Sequence, residues 1–153
     1  MKTFEVEISL PAQGHFPRTE SFETSDVTQI QAKFYSIQWR RIFLTQLQVE
    51  SAEVSFAVVD VDTQEYLAIQ LNTQSMKAEP VFEIDSNIQV VVENKEFFGM
   101  FTRKKQYELI YKNLTQSQVS EQLDLFLKGN IEAMTEQYKQ LLHKKMLQEH
   151  RMT

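Results

Sequence analysis

The middle of the chain constrains the fold most, because it contains a series of short strand-like segments joined by short connections. Apolar residues alternate with polar ones, or form short apolar runs, over about 42–49, 53–61, 65–71, 81–84, 88–93, 97–102 and 105–111. Parallel strands require crossover connections of about a dozen residues or more. Since the connections here are shorter, the pattern predicts an antiparallel meander.

The N-terminal part of the chain predicts one strand followed by a helical segment. Residues 3–10 alternate between apolar and polar side chains, and Pro11 ends this strand because proline donates no ladder hydrogen bond. The segment 11–17 is rich in turn residues and predicts an exposed loop. A helix capped by a polar residue at 24–26 follows, with apolar residues spaced three and four apart at Val27, Ile30, Phe34 and Ile37. Residues 33–41 also alternate as a strand does, so periodicity leaves both structures open there.

The C-terminal part of the chain changes from strand to helix periodicity. Thr115 is placed to cap a helix whose apolar face consists of Val119, Leu123, Phe126 and Leu127. Gly129 followed by Asn130 is a helix C-terminal signal, which separates this helix from a second one. The apolar face of the second helix contains Ile131, Met134, Tyr138 and either Leu141 or Leu142.

Together these patterns predict an α+β fold. We expect an antiparallel meander sheet of about six to seven strands, one N-terminal helical segment and a C-terminal helical pair packed on the sheet. With 153 residues and 42% hydrophobic residues, the chain is long enough to bury a core without disulfides. A single domain over 1–153 is therefore expected, with a frayed tail from about residue 148.

The composition removes most catalytic and cofactor-binding motifs. The chain has no Cys, three Gly and three His, whereas phosphate-binding loops need glycine and thiolate or imidazole sites need Cys or His. P-loop, dinucleotide-binding, nucleophile-elbow and HExxH patterns are absent from the sequence. We therefore predict no catalytic residues, no cofactor and no metal site.

The sequence also predicts a cytoplasmic protein with no membrane partner. Residues 1–10 alternate rather than form the apolar core of a signal peptide. No apolar run approaches the length of about 20 residues that a membrane-spanning helix needs.

Charge is distributed unevenly along the sequence. Residues 42–94 contain nine carboxylates and one cation, Lys77, whereas residues 95–112 contain five cations and two carboxylates. Such an acidic segment either keeps the surface soluble or attracts a basic partner. Within it, Asp60 and Asp62 fit a pair of cation ligands, an acid/base pair or the polar end of a strand before a turn. The last interpretation is favoured, because a hard cation needs about six or more oxygen ligands and acid/base work needs a shaped pocket.

Two segments combine aromatic and basic residues as binding anchors do. Trp39 precedes Arg40, and both residue types are enriched at binding hot spots, although a tryptophan in an ordinary core explains the same pattern. The segment 97–101 is either a buried strand with a bulge at Gly99, followed by a polar hairpin turn at 103–105, or an exposed anchor for a protein or an apolar ligand.

Nucleic-acid binding is not expected for the aromatic and basic residues at 96–105. The RNA-recognition signature fails there, because Glu96 occupies the position of its glycine. The net charge of −5 also opposes the phosphate contacts that supply most nucleic-acid affinity.

These observations favour a non-catalytic protein-binding module, such as a bacterial toxin-neutralising immunity protein or a dedicated chaperone that occludes a basic partner. The predicted partner-binding residues are Glu50, Glu53, Asp60, Asp62, Glu65, Trp39 and Arg40. The predicted ligand-binding or anchor residues are Phe97, Phe98, Met100, Phe101 and Tyr138.

Two alternatives stay open. The order of strand, helical segment, antiparallel meander and long C-terminal helix resembles the helix-grip arrangement of START and Bet v 1-type proteins, although the glycine-rich loop of that family has no counterpart between Gly14 and Gly99. The resemblance implies a hydrophobic-ligand carrier, with cavity residues Phe56, Tyr66, Phe98, Tyr107, Tyr111 and Tyr138. The other alternative is a small structural homo-oligomer subunit that assembles through the C-terminal helix.

Overall fold

The computed structural model describes residues 2–11, 18–46, 54–72, 78–96 and 101–151. In these ranges the chain forms eight strands and four helices. In chain order they are β1 (Phe4–Leu10), β2 (Arg18–Thr24), α1 (Val27–Ser36), α2 (Trp39–Gln46), β3 (Ser55–Asp60), β4 (Tyr66–Leu71), β5 (Phe82–Ser86), β6 (Gln89–Glu96), β7 (Phe101–Glu108), β8 (Tyr111–Leu114), α3 (Gln116–Leu127) and α4 (Ile131–Arg151).

Six of the strands form one sheet in the order β2-β1-β3-β4-β5-β8. All of its neighbouring strands pair antiparallel, and the β6–β7 hairpin lies in sequence between the last two strands as a separate two-stranded sheet. The helices α3 and α4 follow the last strand. The predicted α+β fold, with an antiparallel meander and a C-terminal helical pair, is therefore confirmed.

Helix ends follow the signals in the sequence. The Asp26 side chain caps α1 by accepting a hydrogen bond from the Thr28 amide at 3.0 Å. Thr115 and Gln118 form a capping box at the start of α3, in which each side chain accepts from the other residue's backbone amide. At the end of α3, Gly129 takes a φ of +73°, and the amides of residues 129 and 130 return to the last turn as in a Schellman motif.

The helices cover one face of the six-stranded sheet, which we call the inner face. From β1 and β3 it presents Phe4, Val6, Ile8, Phe56 and Val58, each at most 1% exposed. Ring contacts join this face to the helices: Phe34 of α1 lies 5.4 Å from Phe56, and Phe126 of α3 lies 6.3 Å from Phe4. The opposite face carries the other half of the strand residues, and no helix in the described ranges packs on it. We call it the outer face.

One hydrogen bond fixes the direction in which the backbone groups of β1 and β2 point. The Val61 amide donates to the Thr3 carbonyl at 3.0 Å, in the same register as the β1–β3 pairs. In an antiparallel ladder, hydrogen-bonded pairs alternate with non-hydrogen-bonded pairs. The backbone groups of Glu5, Glu7 and Ser9 therefore point to β3, and those of the residues between them point to β2.

The predicted strand at 42–49 is wrong over the residues that the structure describes, because residues 42–46 belong to α2. Trp39 and Phe43 lie four residues apart and are both buried, which is the spacing of one helix face. A short apolar run fits both structures equally well, and here tertiary packing selects the helix. The open question at 33–41 is resolved in the same way, since these residues belong to α1 and α2 apart from a break at 37–38.

The strands also differ from the prediction in other places, and the predicted strand at 105–111 divides between the end of β7 and the start of β8. Arg18–Thr24 forms β2, which the sequence did not predict because Phe22 is its one large apolar residue. The predicted polar turn at 103–105 is wrong, because these residues lie inside β7. This end of the ribbon is exposed to solvent, as Lys104, Lys105 and the opposite Glu93 show, so β7 accepts consecutive charged residues there.

The C-terminal helix α4 extends through Arg151, beyond residue 148, where the sequence predicted fraying. Its first half packs on α3 and β6 and contributes Met134 and Tyr138 to the core. No helix within the described ranges is long and apolar enough to cross a membrane.

Candidate functional site

The predicted anchor residues Trp39 and Arg40 begin α2 and are divided between core and surface. Trp39 is 1% exposed, and its indole Nε1–H donates to the Phe34 carbonyl at 3.2 Å. Its ring lies 5.4 Å from that of Phe82 on the sheet. Arg40 is exposed, and its Nη2 lies 3.7 Å from Glu79 Oε1. Of the two residues, only Arg40 exposes its side chain to solvent.

The predicted acidic residues Asp60, Asp62 and Glu65 lie at the connection between β3 and β4. The buried Asp60 Oδ1 accepts hydrogen bonds from the Asp62 and Thr63 amides at 3.0 and 3.3 Å. Its Oδ2 lies 3.2 Å from Lys2 Nζ. Asp60 therefore stabilises the turn, while Asp62 is exposed and Glu65 is half-buried beside it.

The other acidic residues of the segment 42–94 do not form one surface. Glu50 and Glu53 lie outside the described residues. Glu79 faces Arg40, and Glu93 on β6 lies 3.6 Å from Lys104 on β7. Two members remain, Glu83 and Asp85 of β5, whose positions alternate with the buried residues and place them on the outer face.

The predicted aromatic anchor falls largely outside the described residues. Phe97, Phe98 and Met100 lie there, and Phe101 begins β7 but its side chain is not among those described. Tyr138 is 7% exposed, and its ring packs edge-on against Tyr111 at 5.3 Å. Burial, together with the neighbouring Tyr138, raises the pKa of Tyr111 to about 12. Tyr138 is therefore a core residue of the helix–sheet interface.

The helix-grip resemblance groups several aromatic residues around one cavity, but the structure places Phe56, Tyr66 and Tyr107 in different parts of the fold. Phe56 is fully buried on the inner face, where its ring meets Phe34 edge-on. Tyr107 lies on the β6–β7 hairpin, with Lys105 Nζ 5.2 Å from the ring centre. Tyr66 pairs with Val59 and shares the outer face with it.

The structure brings together five carboxylates on the outer face. We call this set the acidic outer face: Glu5 and Glu7 of β1, Glu23 of β2, and Glu83 and Asp85 of β5. The first three are exposed and the last two half-buried. Three strand spacings, or about 14 Å, separate β1 from β5. Between the two acidic groups lie the half-buried Ala57, Val59, Tyr66 and Ala68, which form an apolar centre, with the polar Ser55 and Gln70 at one end of it.

A shallow groove of about 380 Å³ runs across β2, β1 and β3 on this face. Its lining includes all three exposed carboxylates, together with Ala57 and Val59. On the other side of the face, burial raises the pKa of the Tyr66 phenol, and the negative charges of Asp85 and Glu108 raise it further. The electrostatic environment of the outer face is therefore negative on both sides of its apolar centre.

The charges on this face are not neutralised within the described part of the chain. None of the five carboxylates forms an ion pair with a described residue. Glu5 and Glu23 stand directly opposite each other, in a non-hydrogen-bonded pair where side chains approach most closely. Like charges in this position destabilise a sheet. We therefore expect neutral residues at this pair to give a more stable sheet.

Sequence reasoning missed Glu5, Glu7 and Glu23. The alternation of residues 3–10 already places the two β1 glutamates together on the polar side of a strand. That signal was available, but a charge count along the segment 42–94 does not include it. Glu23 had no such signal, because β2 was not predicted.

Among the described residues, no three His, Asp or Glu side chains group as metal ligands. No family model, curated protein or solved structure matches this chain. The candidate site is therefore defined by its geometry and charge.

Proposed function

We propose that this chain is a non-catalytic protein-binding module that occludes a basic partner, as a toxin-neutralising immunity protein or a dedicated chaperone does. The observation that carries the proposal is the acidic outer face: a sheet surface that no described helix covers, with carboxylates that pair with no described cation around an apolar centre. Interfaces commonly place apolar contacts at the centre and charged groups around them.

The two parts of this face have different roles in binding. The apolar centre, which includes Val59 and Tyr66, provides area that a partner removes from water. The carboxylates around it attract a positively charged surface and select against acidic partners. A partner cation beside Glu5 and Glu23 also relieves their mutual repulsion, so binding recovers stability that the free protein lacks.

A matched pair of variants tests this proposal. The outer-face variant carries Glu5→Gln, Glu7→Gln and Glu23→Gln, and the helix-side variant carries Glu121→Gln, Glu132→Gln and Glu136→Gln. Both remove three exposed carboxylates, but the second set lies on α3 and α4, on the opposite side of the sheet. Each tagged protein is used at low salt to capture proteins from its native host, and a salt gradient elutes them for mass spectrometry.

The expected result is a stoichiometric basic protein that binds the wild type and the helix-side variant and elutes as salt rises. The outer-face variant should recover at least about tenfold less of it, since three weakened charge contacts together amount to about 1.4 kcal/mol or more. Equal recovery by both variants would contradict the assignment of binding to the acidic outer face.

A further inference from the structure

The strand β2 forms one edge of the six-stranded sheet, and β1 is its one partner among the described strands. Its even-numbered residues, from Arg18 to Thr24, direct their backbone groups to β1, as the ladder alternation requires. The N–H and C=O groups of Thr19, Ser21 and Glu23 therefore point away from the sheet. In the described part of the chain, no hydrogen bond satisfies them.

This edge lacks several of the features that block strand addition. Native proteins protect sheet edges with proline, charged side chains, bulges, very short strands or a covering element. β2 has seven residues, contains neither proline nor lysine, and pairs with β1 in an unbroken register. Its charged residues are Arg18, Glu20 and Glu23. Glu20 pairs with Arg18 and Lys33, and the negative charge of Glu23 opposes an acidic segment rather than a basic one. Thr19, Ser21 and Glu23 are also exposed in the folded chain. The opposite edge strand, β8, has four residues and an irregular register with β5.

Space for side chains exists beside the same edge. A groove of about 810 Å³ lies between β2 and α1, lined by Phe22 and Glu20 from the strand and by Ala32, Lys33 and Ser36 from the helix. An extended segment along β2 would direct alternate side chains into this groove and the others to the outer face.

We propose that an extended segment of the basic partner binds along β2 as a seventh, antiparallel strand of the sheet. This inference rests on the proposed function and specifies how the partner binds. Backbone hydrogen bonds to Thr19, Ser21 and Glu23 provide the main contacts, as in other cases of strand addition. The antiparallel direction continues the pairing found throughout this sheet.

Charge determines which residues the segment carries. Side chains on the outer face of the added strand lie directly beside Thr19, Ser21 and Glu23, with Glu5 and Glu7 one strand further in. Lysine or arginine at these alternate positions meets the acidic outer face. The intervening residues enter the groove, where Phe22 and Ala32 offer apolar contacts beside the Glu20–Lys33 ion pair, which already neutralises the carboxylate there. Small apolar side chains fit beside Phe22 and Ala32. The partner segment therefore alternates basic and small apolar residues.

A synthetic peptide tests the inference without requiring the natural partner. The probe is a fluorescein-labelled heptapeptide of alternating lysine and valine, as long as β2, whose binding is followed by fluorescence anisotropy at low salt. Two N-methylated forms serve as a matched pair. In an antiparallel addition with lysines on the outer face, the lysine amides point to β2 and the valine amides point away.

We expect N-methylation of two of its lysines to weaken binding at least about tenfold, and N-methylation of two of its valines to have little effect, because only the former removes hydrogen bonds to β2. On the protein, Ser21→Pro removes an outward N–H, so it should bind the peptide at least about tenfold more weakly than Ser21→Ala, which loses the same side chain but keeps the N–H. Proline is tolerated on an edge strand where its missing N–H faces solvent. Circular dichroism and thermal unfolding check the folding of both variants, and the peptide pair gives the answer if Ser21→Pro fails to fold.

The outcomes separate this inference from the proposed function. Suppose that binding of the peptide is sensitive to salt and is weaker for the outer-face variant, but is unchanged by lysine N-methylation and by Ser21→Pro. Strand addition is then overturned while the acidic binding face stands. If N-methylation and Ser21→Pro abolish binding but the outer-face variant does not, strand addition stands while the electrostatic proposal fails. If the peptide does not bind, the inference is also overturned. It is also overturned if the protein is a dimer that Ser21→Pro dissociates, because a second copy then occupies the edge.

Discussion

The repulsion between Glu5 and Glu23 makes a prediction about stability that needs no partner. Replacing Glu23 by Gln removes the repulsion, and replacing it by Lys converts it into an attraction across the same strand pair. Both variants should therefore unfold at higher urea concentrations than the wild type, although they remove a residue that we assign to binding. Substitutions that stabilise the free protein and weaken binding are typical of functional positions.

The size of the effect follows from the geometry of the pair. In a non-hydrogen-bonded pair the Cβ atoms lie about 4.5–5.5 Å apart. Two unit charges separated by about 5 Å in water interact with about 0.8 kcal/mol. Exposed side chains move, which reduces the interaction energy of the two charges. We therefore expect the free energy of unfolding to rise by about 0.5 kcal/mol for Glu23→Gln and about 1 kcal/mol for Glu23→Lys.

The assay is urea denaturation followed by tryptophan fluorescence, because Trp39 is the only tryptophan and is buried in the folded state. Measurements at low salt and at about 1 M NaCl, where the Debye length is about 3 Å, separate charge effects from changes in strand propensity. Glu121→Gln on α3 is the control for net charge. The reasoning is refuted if the control gains as much stability as Glu23→Gln, or if the gain persists unchanged at high salt.

Three further predictions concern the turn, the helix end and a buried phenol. Asp60→Ala removes the acceptor of two backbone hydrogen bonds and should lower the free energy of unfolding by about 2–3 kcal/mol in urea denaturation. Asp60→Asn keeps an acceptor oxygen and should lose less stability. Equal losses for the two variants would contradict this role of Asp60. Gly129→Ala forces a φ of +73° on a residue with a Cβ atom and should lower the free energy of unfolding by about 1–2 kcal/mol. Gly129→Asn should lower it less. An unchanged free energy of unfolding for Gly129→Ala would contradict the observed helix end. The pKa of Tyr111 rises from 10.0 to about 12 on folding, so its contribution to stability is complete below pH 10 and is lost between about pH 10 and 12. Tyr111→Phe should flatten the dependence of stability on pH in that range, and an unchanged slope would count against a buried phenol.

Most of the fold could be predicted from the sequence because its elements have strong periodicities or clear end signals. Asp26, Thr115 and Gly129 mark helix ends through local hydrogen bonding and backbone conformation, which depend little on the rest of the fold. The helix α2 could not be predicted in this way, because Trp39 and Phe43 are buried by contacts with distant strands. The strand β2 was missed because its pairing with β1, rather than its own apolar residues, holds it in the sheet.

The candidate site was less predictable than the fold because it depends on register. Glu5 and Glu23 are distant in sequence and become neighbours only through the β1–β2 pairing. Asp60 and Asp62 are neighbours in sequence, but the turn buries the first and exposes the second. A high density of carboxylates along the chain therefore did not identify which of them share a surface.

The most direct test of the proposed binding face is the affinity of the captured basic partner for the two triple variants, measured with purified proteins at low and high salt. At low salt, the account predicts that the outer-face variant binds at least about tenfold more weakly than the helix-side variant, and that the difference shrinks as salt screens the charges. Equal affinities at low salt, or a larger loss for the helix-side variant, would contradict it.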